Sequence, residues 1–115
     1  MYKLSHKDFS CILNMLDCIE KIQSYSNKFK NADDFYGDTI SFDATMMNFI
    51  VIGEMADKLS DNFILETSKY IDWFKVKGFR NIIAHNYFGI DAEEVWQILN
   101  SNLPSLKDNL ERLKK

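Results

Sequence analysis

The sequence predicts an all-α fold of four principal helices packed as a bundle. Three observations carry that prediction. Apolar residues recur at three- and four-residue steps along several long stretches. One proline and four glycines are too few for a turn-rich β fold. The 115 residues suit a single domain, residues 1–115, with a modest core. At 46% apolar and 27% charged residues, the balance is that of a soluble globular chain rather than a disordered one.

The first helix is expected from about Ser5 to Ser26. Phe9, Ile12, Leu16 and Ile19 form its stripe, with Leu13 and Ile22 widening it. Ser5 followed by Asp8 resembles a capping arrangement. Residues 27–39 read as a polar connection holding one short turn near Asp33 to Tyr36, ended by Gly37. The second long helix is expected to start near Ser41, with Phe42, Met46, Phe49, Ile50, Gly53, Ala56 and Leu59 on one face. Its small residues, Gly53 and Ala56, let a neighbouring helix come close. Asp61 to Ser68 reads as a short helix or turn. A third main helix is expected from about Ile71 to Ala84, carrying Trp73, Phe74, Val76 and Phe79 on broad apolar faces. Gly89 permits a turn with positive φ. Asp91 is an N-cap with Glu94 three residues on. The last helix carries Val95, Ile98, Leu99, Leu103, Leu106 and Leu110, and Pro104 interrupts or kinks it. The apolar faces are wider than a small bundle needs, which predicts dimerisation.

Charge is unevenly spread. The net charge is −3, so the chain does not coat nucleic acid by bulk charge. Residues 31–68 hold eight acids against one base, whereas residues 69–87 hold four bases (Lys69, Lys75, Lys77, Arg80) against one acid. A local basic site on an acidic protein can still attract a phosphate backbone. A solvated lysine face is the plainer reading of Lys69 and Lys75.

Cys11 and Cys18 stand two helical turns apart on one apolar face and read as buried thiols in a reducing compartment. The N-terminus shows no signal peptide and no apolar run nears a membrane span. The expected location is cytoplasmic, without membrane contact. No acids or cysteines are spaced as a metal site, and no cofactor is implied.

The residues richest in chemistry are Arg80-Asn81-Ile82-Ile83-Ala84-His85-Asn86-Tyr87. An arginine stays charged and grips phosphate oxygens with a fixed fork of donors. A histidine titrating near neutrality can take the proton of a ribose 2′-hydroxyl or give one to a leaving 5′-oxygen. Asn81 precedes His85 by one helical turn and can orient its ring. Tyr87 can bond a phosphate or stack on a base. Arg80 and His85 are roughly 140° apart around an ideal helix, so they flank one crevice only if the helix ends near His85. One histidine in the motif is thin for both acid and base roles; a two-fold dimer facing two motifs across a cleft supplies two. The same residues have a purely structural reading, with His85 capping a helix end and Arg80 paired to Glu66 or Asp91. His6 reads as a surface residue near the first helix start.

This segment resembles the signature of the HEPN superfamily, an arginine and a histidine separated by four to six residues. It is more closely similar to the HepT-like toxin family. The likeness runs from Phe79 to Asp91, through Val95-Trp96 and Asn102 to Lys107, and includes Ile52-Gly53-Glu54-Met55-Ala56-Asp57-Lys58-Leu59-Ser60. It implies an all-α, HEPN-type, up-and-down bundle of four to five helices forming a homodimer. It also implies the ribonuclease toxin of a type II-like toxin–antitoxin pair, cutting RNA without a metal. Arg80 and His85 would be the catalytic pair, with Asn81 and Tyr87 supporting. The implied partner is a minimal nucleotidyltransferase antitoxin that modifies Tyr87 with AMP from ATP. The chain departs from the family at Asn86, where a glutamate is common. HEPN bundles also serve as non-catalytic, nucleotide- or partner-binding subunits of nucleotidyltransferase complexes, and that is the alternative reading.

Overall fold

In the computed structural model, residues 4–86 and 91–114 are described, without the side chains of residues 82–86. All regular structure among these residues is helical. The elements are α1 (His6–Ser26), α2 (Ala32–Gly37), α3 (Thr39–Asp57), α4 (Asp61–Thr67), α5 (Trp73–Asn86), α6 (Ala92–Gln97), a π-helical turn (Ile98–Asn102) and α7 (Leu103–Lys114). The four long helices are α1, α3, α5 and α7. α3 packs between α1 and α5, and α7 packs against α1. The short α2 bridges α3 and α6.

Local chemistry fixes where each helix begins. Ser5 Oγ accepts the amide N–H of Asp8, as the capping pattern predicts. Asn31 caps α2, Asp38 caps α3 and Ser60 caps α4 in the same way. Asp38 accepts the Ser41 N–H, and that backbone hydrogen bond is the main cause that holds its carboxyl below the usual carboxylate range. Asp91 accepts from the N–H groups of both Glu93 and Glu94. α3 starts two residues earlier than the sequence suggests, because Asp38 rather than a later residue supplies the cap.

Asp8 does not complete a capping box. Its side chain is 3% exposed and turns to the α3–α4 junction. There it accepts the Ser60 N–H at 2.8 Å and the Ser60 hydroxyl at 2.7 Å. The first turn of α1 is thereby tied to the start of α4 across 52 residues of sequence.

The core is continuous. Ile12, Met15, Ile19 and Ile22 of α1 meet Met46, Phe49 and Ile52 of α3 and Leu103, Leu106 and Leu110 of α7 within it. Phe35 of α2, fully buried, packs against Phe29, Phe42 and Trp96 with ring centroids 5.4–5.8 Å apart. Cys11 and Cys18 are free and buried, and burial is the chief cause raising both thiols above their ordinary range. No helix among the described residues is long and apolar enough to cross a membrane.

As expected, the α-helical pattern of the last helix is interrupted next to Pro104: a π-helical turn stands between α6 and α7, where the Leu103 N–H reaches back five residues to Ile98 O. Pro104 sits one residue later; it has no N–H to give and its ring crowds the carbonyl four residues earlier, so a widened turn ahead of it relieves both. Phe74 does not join the core; it is 88% exposed, while Trp73, Val76 and Phe79 are buried. Phe9 and Leu13 are also exposed, so the stripe of α1 is narrower in the single chain than its sequence suggests. The turn expected at Gly89 lies outside the described residues.

Candidate functional site

The site is built on α5. Its start is fixed twice. Asp72 Oδ1 accepts the Lys75 N–H at 3.1 Å, and the Trp73 indole N–H donates to the Thr67 hydroxyl at 2.8 Å. Thr67 in turn donates to Phe63 O at 2.7 Å, so the last turn of α4 anchors the first residue of α5. From there the helix runs without interruption to Asn86, which keeps Arg80, Asn81 and His85 on one continuous element. The stretch expected to be helical from about Ile71 to Ala84, and to end at or just after His85-Asn86-Tyr87, is helical from Trp73 to Asn86.

Its flank against α3 is set by Gly53. A Cβ placed on Gly53 would lie 2.8 Å from Arg80 Cβ, 3.2 Å from Arg80 N and 3.3 Å from Lys77 O. Any added Cβ would require α5 or α3 to shift, so the small residue singled out in the sequence does permit the close helix approach. Phe49 and Phe79 lock the same seam one turn earlier, ring edge to face at 5.3 Å.

This contact puts Arg80 directly across from the acids of α3. Its Nη1 donates to Glu54 Oε1 at 2.8 Å and lies 3.9 Å from Asp57 Oδ2. The Arg80 side chain is about one third exposed. The hydrogen bond to Glu54, then the charge of Glu54, raise its pKa further; burial opposes them with a smaller effect, and the charge of Asp57 adds the least. The guanidinium is therefore a permanent, oriented cation at a solvent-facing seam. The pairing with Glu66 or Asp91 offered by the structural reading is not the one formed.

Asn81 follows Arg80 and is exposed. The backbone of His85 lies in the last turn of α5, one turn beyond Asn81, as that pairing requires. The side chain of His85 and all of Tyr87 lie outside the described residues. The structure thus brings Arg80 and Asn81 together on an accessible helix, and adds Glu54 and Asp57, whose link to Arg80 spacing alone did not find. The signal was present: a glycine beside an acid within a helix marks where a neighbouring backbone comes close. Lys75 is exposed on α5, and Lys69 reaches over the Tyr70 ring at 5.1 Å. Both behave as solvated lysines. His6 is exposed at the first residue of α1, away from core packing.

Beside the site, α5 and α7 do not close against each other. A cavity of about 270 Å³ opens between them, lined by Tyr70, Asp72, Lys75, Asn102 and Asn109 among others. A wider cleft of about 620 Å³ continues along α5 past Phe74 and Gly78 toward α6. Among the described residues no group of three or more His, Cys, Asp and Glu side chains could hold a metal ion.

The comparisons with known proteins point one way. The family model described as "Ribonuclease HepT-like" matches residues 15–113. A protein of Methanocaldococcus jannaschii named as a gamma-glutamylcyclotransferase and putative RNase is 32% identical over 105 residues, covering 90% of this chain and 46% of that one. A "Probable ribonuclease HepT" of Thermococcus cleftensis is 28% identical over 113 residues, covering 98% of this chain and 99% of that one. The chain therefore spans less than half of the first relative and nearly all of the second. No solved structure matches it.

The two helical glycines have opposite expected responses. Gly78 has nothing within 4 Å of an added Cβ, so Gly78→Ala should stabilise by about 0.5–1 kcal/mol through helix propensity. Gly53→Ala has the same propensity gain, but its methyl is forced against Arg80 Cβ and the α5 backbone, at a cost of about 1–3 kcal/mol. Urea denaturation of both variants should move the midpoints in opposite directions. A stabilised Gly53→Ala protein would contradict the close packing of α3 on α5.

Proposed function

The chain belongs to the HepT-like ribonuclease family of the HEPN superfamily, and on that basis we propose that residues 1–115 form a single-domain, metal-independent RNA endonuclease. Arg80 and His85 are its catalytic pair, supported by Asn81 and Tyr87. The observation that carries this reading is the position of Arg80. It is an oriented cation on an exposed seam, one and a half helical turns before a histidine on the same uninterrupted helix.

The chemistry uses only these groups. An RNA phosphodiester beside α5 presents its non-bridging oxygens to the Arg80 guanidinium, which opposes the charge that builds on phosphorus. A histidine as base takes the proton of the 2′-hydroxyl as its oxygen attacks phosphorus. A histidine as acid gives a proton to the departing 5′-oxygen. The new P–O bond forms as the P–O5′ bond breaks, leaving a 2′,3′-cyclic phosphate and a 5′-hydroxyl. Two histidines suit the step better than one, so the active form is a homodimer with two motifs across one cleft. The exposed Phe9, Leu13 and Phe74 offer apolar surface for such an assembly. In the cell the protein is the toxin of a toxin–antitoxin pair, acting in the cytoplasm. Its partner is a minimal nucleotidyltransferase antitoxin that silences it by transferring AMP from ATP to Tyr87. A bulky anion at Tyr87 blocks the cleft and repels RNA.

His85→Ala should lower cleavage of a single-stranded RNA by at least about a hundredfold, with helicity and melting unchanged and with wild-type activity indifferent to EDTA. Cleavage unchanged in the variant would remove the assignment. Intact mass after incubation with the antitoxin, ATP and Mg²⁺ should rise in steps of about 329 Da, and Tyr87→Phe should abolish the increment. A Tyr87→Phe chain that still gains mass would place the modification elsewhere.

A further inference from the structure

We infer that Glu54 is the positioning residue that sets the Arg80 guanidinium for its work on the phosphate, an inference that rests on the ribonuclease reading. Arginine has a long side chain with several rotatable bonds. Left free, it must be ordered each time a phosphate binds, at a cost in entropy. Here both ends of the side chain are held by consecutive residues of α3. At its root, Arg80 Cβ lies over Gly53, where an added methyl would stand 2.8 Å away. At its tip, Nη1 donates to Glu54 Oε1 at 2.8 Å. Asp57, one turn further along α3, adds a weaker pull at 3.9 Å.

A purely structural purpose explains this pair poorly. Glu54 is nearly half exposed and Arg80 one third exposed, and ion pairs so placed contribute little to stability. The carboxylate also has an electrostatic cost. Standing beside a phosphate-binding cation, it weakens the attraction of the free site for RNA. A negative charge retained there makes sense as orientation gained at the expense of ground-state affinity. Such an exchange has a kinetic signature: removing the carboxylate lowers kcat and leaves KM unchanged or lower.

The test is steady-state cleavage of one fluorogenic RNA by the wild type, Glu54→Ala, Glu54→Gln, Arg80→Ala, the Glu54→Ala/Arg80→Ala double variant and His85→Ala. All are checked by circular dichroism melting. Glu54→Ala should lower kcat about tenfold to a hundredfold, the scale of a misplaced catalytic group, without raising KM. Glu54→Gln keeps an acceptor oxygen at the same place and should recover part of the loss. In the Arg80→Ala background, Glu54→Ala should change kcat less than about twofold, because a residue acting through Arg80 has nothing left to act on. A wild type that cuts, a His85→Ala chain that does not, and a Glu54→Ala chain that cuts at the wild-type rate would overturn the role of Glu54 alone. Equal losses from Glu54→Ala in both backgrounds would overturn it as well. A wild type that leaves RNA uncut would overturn the ribonuclease reading and this role with it.

Discussion

The close contact of α3 with α5 at Gly53 is the constraint from which the site follows. With no side chain at that position, the backbone of α5 comes to within reach of the α3 helix surface, and Arg80 is the residue that lands there. The next residue of α3 is an acid, and its carboxylate meets the guanidinium. Helix packing, arginine orientation and local charge are therefore one arrangement rather than three. A side chain at position 53 would push α5 outward and separate Arg80 from Glu54 in the same movement.

The connections between the long helices serve the same end. α4 is short, yet both its ends are tied by side-chain hydrogen bonds: Ser60 to Asp8 at one end, part-buried, and Trp73 to Thr67 at the other, buried. Each bond joins a cap or a last turn to a different helix, so the α3–α4–α5 path has little freedom to slide. Buried polar groups in such a network cost stability unless each is matched, and among the described residues no buried side-chain nitrogen or oxygen lacks a partner. A helix held at its first turn and along its α3 flank can present its last turn to solvent without losing register.

Much of this was legible in the residues, and for identifiable reasons. Helix starts were readable because Ser5 and Asp91 bond amides two or three residues ahead, a local rule that needs no tertiary knowledge. Gly53 was readable as a packing position because small residues within an apolar stripe serve few other purposes. The fate of Phe74 was not readable: helical periodicity assigns an apolar residue to a face, and whether another element covers that face depends on α7 standing off from α5. Asp8 also misled, since a carboxylate three residues after a serine fits a local cap, while its real partner is 52 residues away. The Glu54–Arg80 pair lay beyond spacing for the same reason, being a contact between helices 26 residues apart in sequence. Charge counting found an acidic stretch over residues 31–68 and a basic one over 69–87, but not that one acid and one base meet.

The account stands on an arginine whose value is its fixed, forked geometry and not its charge alone. Arg80→Lys separates these two properties, because lysine keeps the positive charge and loses the planar fork. RNA cleavage by the Arg80→Lys protein, at matched helicity and oligomeric state, is the most direct measurement. The account predicts a fall in kcat of at least about tenfold. A lysine variant that cleaves RNA as fast as the wild type would show that a loosely held charge suffices, and would contradict it.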